Sequence, residues 1–479
     1  MDVRPSVAWF ARSVSMIPTP TPASHTALAG RSDSGQGTRR SVLLPLVALA
    51  APMLLGQAGL VLLQLTDTLM LGHGEHGGAV PLAGAALVGN FVMFAIYFAY
   101  GSIGAVAPRI SQAFGAGDDR GVGVAARAGV VLGLLVGLLI AVALTAVTPL
   151  LGTLGQPPEV VAVSGSYLLL VAWSMPAALL TLVLGQTAES INRPWPVVAV
   201  MVGAVILNAG LNWLLIFGNF GCPAMGLQGA GWATLAARWL QAAVLLAWLC
   251  QSRHTQRYRF WSVDGGLWPM VQDLFGQGLP VAAQDVLEGG SFAAGSLMLG
   301  WVGTTAMAAN QVTLGIASLA WMFPISLSMA TSIRVAHAVG AGDMPTARRT
   351  GIAAILLGAT LMAACAIVYT TSGLWLARLF TNDDTVAQLA GTLVTIVGIY
   401  QISDAIQSVS LGALRGLVDN RVPMIANAIC YWLLSIPTVY LLAFTAGWGA
   451  AGVWLGYLPW MILTGLFFLW RFLKITSTP

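Results

Sequence analysis

Long apolar stretches alternate with short polar ones almost from end to end of this chain, and that alternation is its strongest signal. About twelve apolar runs are long enough to cross a ~30 Å hydrocarbon core. They fall near 42–72, 80–107, 123–151, 160–185, 196–218, 227–250, 275–302, 306–331, 350–378, 386–414, 422–445 and 449–471. Every second connection is basic: Arg109, Arg120 and Arg127; then Arg193; then Arg253, Arg257 and Arg259; then Arg334, Arg348 and Arg349; then Arg415 and Arg421; finally Arg471 and Lys474. The intervening connections carry almost no basic residue, so the positive-inside rule predicts both termini on the cytoplasmic side. The pattern also repeats. RISQAFGAGD from Arg109 returns as RVAHAVGAGD from Arg334. LMLG at Leu69 returns at Leu297, and the NRP turn at Asn192 returns as NRVP at Asn420, all at nearly one offset. Six helices per copy, both copies starting on one side, predict parallel halves related by a pseudo-twofold along the membrane normal, with binding groups between them near the midplane. The expected fold is all-α, with twelve transmembrane helices in two six-helix bundles. Residues 41–260 are read as the first lobe and 261–479 as the second.

Composition agrees. Of 479 residues, 57% are hydrophobic and only 8% charged, against about 25% charged in soluble domains. The mean hydropathy is +0.81 and the pI near 9.0. That basicity comes from the loop arginines, so it is a topology signal and predicts no nucleic-acid partner. The first forty residues are rich in Pro, Ser, Thr and Gly, lack the apolar core of a signal peptide, and read as a disordered cytoplasmic tail. Four scattered cysteines form no CxxC pair and no disulfide framework is expected. No GxxxxGK[ST] is present, so no ATP is expected to drive the protein, and no catalytic constellation suggests an enzyme. Energy is then left to an ion gradient.

Acids inside membrane-length runs stand out, because each costs roughly 2.5–3.5 kcal/mol to place at bilayer depth. In the second half Asp285 and Glu288 are three residues apart on one helix, and Tyr400 and Asp404 four apart on another, so each pair shares a face. Carboxylates with a phenol can offer oxygens to a hard cation, or hold a proton in its place; the bland alternative is a protonated, hydrogen-bonded acid that serves packing. In the first half Asp67 stands with Asn208 and Asn212, also four apart. Gln57 and Gln64 share a side with Asp67 and read as packing residues. Glu189 reads as snorkelling or as a partner of Arg193, and Asp383 and Asp384 as an exposed loop end. Arg238, in mid-span, either neutralises an acid or marks a displaced helix. Gly115, Gly117, Gly340 and Gly342 are expected to permit tight turns, with Asp118 and Asp343 capping the helices that follow.

The paired GAGD loops, Pro52 to Asp67 running into LTDTLMLG, NAGLNW at Asn208, GLPVAAQDVLE ending at Glu288, YQISDA at Tyr400, and LGALRG with NRVP together resemble the multidrug and toxic compound extrusion (MATE) family, nearest its NorM-like branch. The resemblance covers about residues 41–472. It implies an inner-membrane antiporter, working without a cofactor and as a monomer, that exports amphipathic, often cationic aromatic drugs and organic cations in exchange for Na⁺ or H⁺. It further implies that Glu288, Tyr400 and Asp404 are coupling residues, with Na⁺ as the favoured ligand of the three, and that Asp67 is a protonation or cation site served by Asn208 and Asn212. Asp285 has no clear family counterpart and is expected to line the cavity. The alternative is a lipid-linked-precursor flippase of related fold, which calls for a broadly cationic cavity.

Overall fold

The computed structural model describes residues 37–72, 78–153, 155–260 and 266–477. The expected tail over 1–40 therefore lies almost wholly outside the described residues, and the first helix already begins at Gly37. No strand occurs among the described residues.

Twelve long helices follow: α1 (Gly37–Gly72), α2 (Ala79–Gly115, broken near Ile103), α3 (Asp119–Thr153), α4 (Pro158–Ser190), α5 (Trp195–Phe217), α6 (Leu227–Gln251), α7 (Leu267–Val302), α8 (Thr304–Gly340), α9 (Met344–Arg378), α10 (Asp384–Gly416), α11 (Arg421–Thr445) and α12 (Gly449–Ile475). Among the described residues eleven of these are long and apolar enough to cross a membrane, and α7 is not one of them. Its sequence explains this, since Asp273, Asp285 and Glu288 interrupt it. Asp118 caps α3 by accepting from Gly121 N at 2.8 Å, and Asp343 caps α9 by accepting from Thr346 N at 2.9 Å. Helix α11 is irregular: α-helical turns at Arg421–Asn427 and Ile436–Tyr440 alternate with π-helical stretches at Ala428–Ser435 and Leu441–Thr445. Pro437, just past the first of these, supplies no N–H to the turn before it.

The repeat in sequence is a repeat in space. A Cβ on Gly115 would collide with the carbonyl oxygen of His337, and a Cβ on Gly340 would collide with that of Gln112. These are the same contact with the halves exchanged, as a twofold demands. Gly115 and Gly340 are therefore kept small by the meeting of α2 and α8, and the tight turns belong to Gly117 (φ 71) and Gly342 (φ 74) alone. Nearby, α2 and α7 touch backbone to backbone where Gly278 lies on the Ser102 carbonyl and Gly101 on Ala282. The halves are thus in contact at the arginine-rich end.

The first helix of each half straddles both. Leu46, Leu49 and Met53 of α1 pack with Leu327, Ile333, Ala354 and Val409 of the second half, whereas Leu71 packs with Ile216, Leu227 and Ala230 of the first. Helix α7 does the reverse. Val271 and Leu274 join the core of α2 to α4, and Met298 and Leu299 join that of α8 to α12.

Candidate functional site

The second-half cluster assembles on α7, α10 and α11. Glu288, midway along α7, accepts from Asn427 Nδ2 at 3.0 Å and from the Tyr431 hydroxyl at 3.4 Å. Both partners stand at the first π-helical stretch of α11, and Gln407 of α10 donates to Tyr431 at 2.9 Å. A π-turn widens a helix and re-aims its side chains, which is why such turns gather at functional sites. Asp404 is 5% exposed. Its Oδ1 accepts from Ser408 at 3.3 Å, while its Oδ2 and the Tyr400 hydroxyl are buried with no partner among the described residues. Asp404 and Glu288 are near enough to feel each other's charge, and Tyr400 feels both. Rings close the space around them: Phe292 lies 6.4 Å from Tyr400, 6.0 Å from Tyr431 and 5.2 Å from Tyr457, and Tyr400 stands edge-on to Trp454 at 5.7 Å.

Asp285, one turn before Glu288 on α7, has a cationic partner of its own. Its Oδ1 accepts from Arg415 Nη2 at 2.9 Å. Arg415, which the loop pattern counted as a topology marker, lies in the last turn of α10 and is a partner to an acid. Its Nη2 is taken by Asp285, while its Nε is buried with no partner among the described residues.

In the first half Asn212 Nδ2 donates to Asp67 Oδ1 at 2.5 Å and to Asn208 Oδ1 at 3.1 Å. Both asparagines are 0% exposed, and Asn208 Nδ2 and Asn212 Oδ1 have no partners among the described residues. Asp67 itself is half-buried. Arg238 lies within charge range of it and donates to Ser174 Oγ at 2.8 Å. Of the two glutamines beside it, Gln57 reaches across to Met329 Sδ at 3.7 Å.

Other sequence expectations resolve locally. Arg193 faces His254 and not Glu189, whose side chain is 8% exposed and makes no hydrogen bond or ion pair among the described residues. Asp383 caps α10 through Thr385 N and Val386 N, and Asp384 meets Arg378 at 3.3 Å. The four cysteines are free, and no three His, Cys, Asp or Glu side chains gather as a metal centre among the described residues.

Sequence reasoning missed Asn427, Tyr431, Gln407 and Arg415. A signal for the first two was present. NAGLNW from Asn208 on α5 and NAICYW from Asn427 on α11 share the frame N-A-x-x-x-W, and in each half this frame bonds the acid on the first helix. The frame returns at a shorter offset than the other repeats do, which hides it.

Duplicated six-helix halves, joined at one end and each holding an acid on its leading helix, define a membrane transporter and not an enzyme. The family model MatE matches twice, over residues 52–214 and 280–441. The probable multidrug resistance protein NorM of Bradyrhizobium diazoefficiens is 36% identical over 85% of this chain and 88% of its own length, and the multidrug resistance protein NorM of Burkholderia vietnamiensis is 34% identical over 90% and 93%. Among solved structures, the Vibrio cholerae MATE transporter VcmN in its bent form superposes with a TM-score of 0.82 at 23% identity, covering 92% of this chain and 98% of that one. The eukaryotic MATE transporter AtDTX14 gives 0.81 at 22%, covering 92% and 97%. This chain belongs to the MATE family of transporters.

Proposed function

We propose that the protein is a multidrug efflux antiporter of the cell's inner membrane, exchanging amphipathic, often cationic aromatic compounds for H⁺ or Na⁺. Its termini lie on the cytoplasmic side, and residues 41–260 and 261–479 are the lobes that move. One observation carries the reading: Asp404 Oδ2 and the Tyr400 hydroxyl are buried without partners among the described residues, on the helix whose Gln407 bonds Tyr431, the partner of Glu288, while Asp285 takes Arg415 Nη2. Burying such charge is costly unless it is neutralised, by a proton, a metal cation or a cationic substrate. The aromatic rings around it favour an organic cation. Ion and drug then compete for the same acids, and each favours the conformation it binds better; a ligand equal in both states would move nothing. Asp67 serves the same exchange from the first half. The names of the NorM relatives support the substrate class.

Ethidium efflux from proteoliposomes, under an imposed Na⁺ gradient and separately under a pH gradient, tests this. Efflux under Na⁺ alone identifies a metal ion as the exchanged cation, and efflux under the pH gradient alone identifies the proton. No efflux under either sinks the antiporter and brings the flippase forward.

A further inference from the structure

We propose that an open cavity at the arginine-rich end, lined at the ends of α2, α4 and α6, is a binding site for a phosphate group. It has a volume of about 450 Å³, and Arg193, Arg253, Arg257 and His254 line it together with Phe114 and Tyr258. A space of this order holds a small ligand. The guanidinium fork matches phosphate oxygens two at a time, and no carboxylate is among the described lining residues. Arg253 makes no hydrogen bond or ion pair among the described residues. Arg193 meets only His254 Nδ1, at 3.4 Å. Arg257 lies over the Tyr258 ring at 4.6 Å and donates to its hydroxyl, which holds the guanidinium charged to still higher pH than usual. Its contact with Asp119 is 3.7 Å between half-exposed side chains, too weak to cancel it.

The apolar wall is braced from the other half. Phe114 faces the His337 ring at 5.0 Å, and His337 Nε2 is 2.7 Å from the Ser190 carbonyl, one residue before Ile191 at the cavity's edge. Trp195, two residues beyond Arg193, is 63% exposed, as tryptophans at the headgroup level of a bilayer are. Basic pockets between helix ends at this level take anionic headgroups. The phosphate has two sources of one chemistry, an anionic phospholipid headgroup or a soluble phosphate compound. The site does not depend on the export reading.

The test uses the full chain in detergent, titrated separately with phosphatidylglycerol, phosphatidylcholine and inorganic phosphate while the melting temperature is followed. Phosphatidylglycerol is expected to raise it saturably, and phosphatidylcholine to leave it unmoved. Arg193→Ala/Arg253→Ala is expected to weaken the apparent affinity roughly 30-fold, about fivefold per arginine. Arg348→Ala/Arg349→Ala removes the same charge from the same end outside the cavity and leaves the titration unchanged. A response to phosphatidylglycerol without one to inorganic phosphate identifies the headgroup. Matching responses, both lost in the cavity variant, identify a soluble phosphate compound. Equal weakening in both double variants reduces the effect to diffuse surface charge and overturns the proposal, as does no response to either anion. Arg253→Gln alone disturbs no bonded side chain. Fivefold weaker binding at an unchanged ligand-free melting temperature supports the site there too, and unchanged binding overturns it.

Discussion

The two halves carry the same device at different depths. In each, an acid on the leading helix is bonded by an N-A-x-x-x-W frame on the fifth. Measured from the shared LMLG, Asp67 stands two residues before it and Glu288 nine before it. Seven residues is close to two helical turns, so the face is kept while the acid moves about 10 Å along the axis. The asparagine frame moves with it, which accounts for its shorter offset. Duplication therefore preserved the scaffold while one acid slid toward the arginine-rich end together with its partner. A second difference sits at the ends of α4 and α10. Asn192 and Val418 both take φ 60, with Asn192 N on the Glu189 carbonyl and Val418 N on that of Arg415. By this backbone geometry, two residues off the NRP frame, Glu189 and Arg415 hold equivalent positions with side chains of opposite sign. Arg415 answers Asp285, whereas the place of Asp285 counted back from LMLG is held by the neutral Gln57.

If depth along the helix sets the roles, the two acids are unequal. Glu288→Gln is expected to reduce drug efflux to background, while Asp67→Asn lowers it only about 10-fold, on the scale of losing one hydrogen bond to a charged group, ~1.5 kcal/mol. Equal losses in the proteoliposome assay would erase the distinction between the halves. At the seam the halves should instead match. Gly115→Ala and Gly340→Ala each push a methyl group into a facing carbonyl, and each should expose a cysteine placed at the seam to thiol reagents, with similar rates. A response from only one of them would break the symmetry there.

Asp285→Asn leaves Arg415 unanswered and is expected to destabilise the protein by about 1–3 kcal/mol, below the value for a fully buried pair because both side chains are a quarter exposed. Asp285→Asn/Arg415→Gln should recover part of that loss. Thermal melting in detergent, compared with Glu189→Gln in the first half, reads the difference; a melt insensitive to Asp285→Asn would sever the pair from stability. The smallest effects should be equal again: Asp118→Ala and Asp343→Ala each cost about 1 kcal/mol through a lost cap, seen as similar drops in melting temperature.

Much of this was legible beforehand, for physical reasons. Span length, loop charge and the GAGD and LMLG repeats are local, and each constrains the fold through one-dimensional spacing. Glu288, Asp404 and Asp67 stood out because isolated acids in apolar runs are expensive. Arg415 did not, since an arginine beside a helix end looks like an orientation signal until its side chain is seen reaching Asp285. Tyr431 was hidden by chemistry that suits an ordinary buried aromatic, and only the π-helical turn aims its hydroxyl at Glu288. The roles of Gly115 and Gly340 depend on a contact made by the opposite half of the chain, which no local pattern carries.

The straddling of α1 and α7 bears on how the chain is made. The lower part of α1 leaves the ribosome first, yet Leu46, Leu49 and Met53 find their neighbours at Leu327, Ile333, Ala354 and Val409, all of them in the half made last. During synthesis that stripe must wait in lipid, which tolerates apolar side chains without a partner. A truncated first half can thus insert while lacking the packing that fixes its leading helix. The tenth helix, and not the sixth, supplies the last of these four partners.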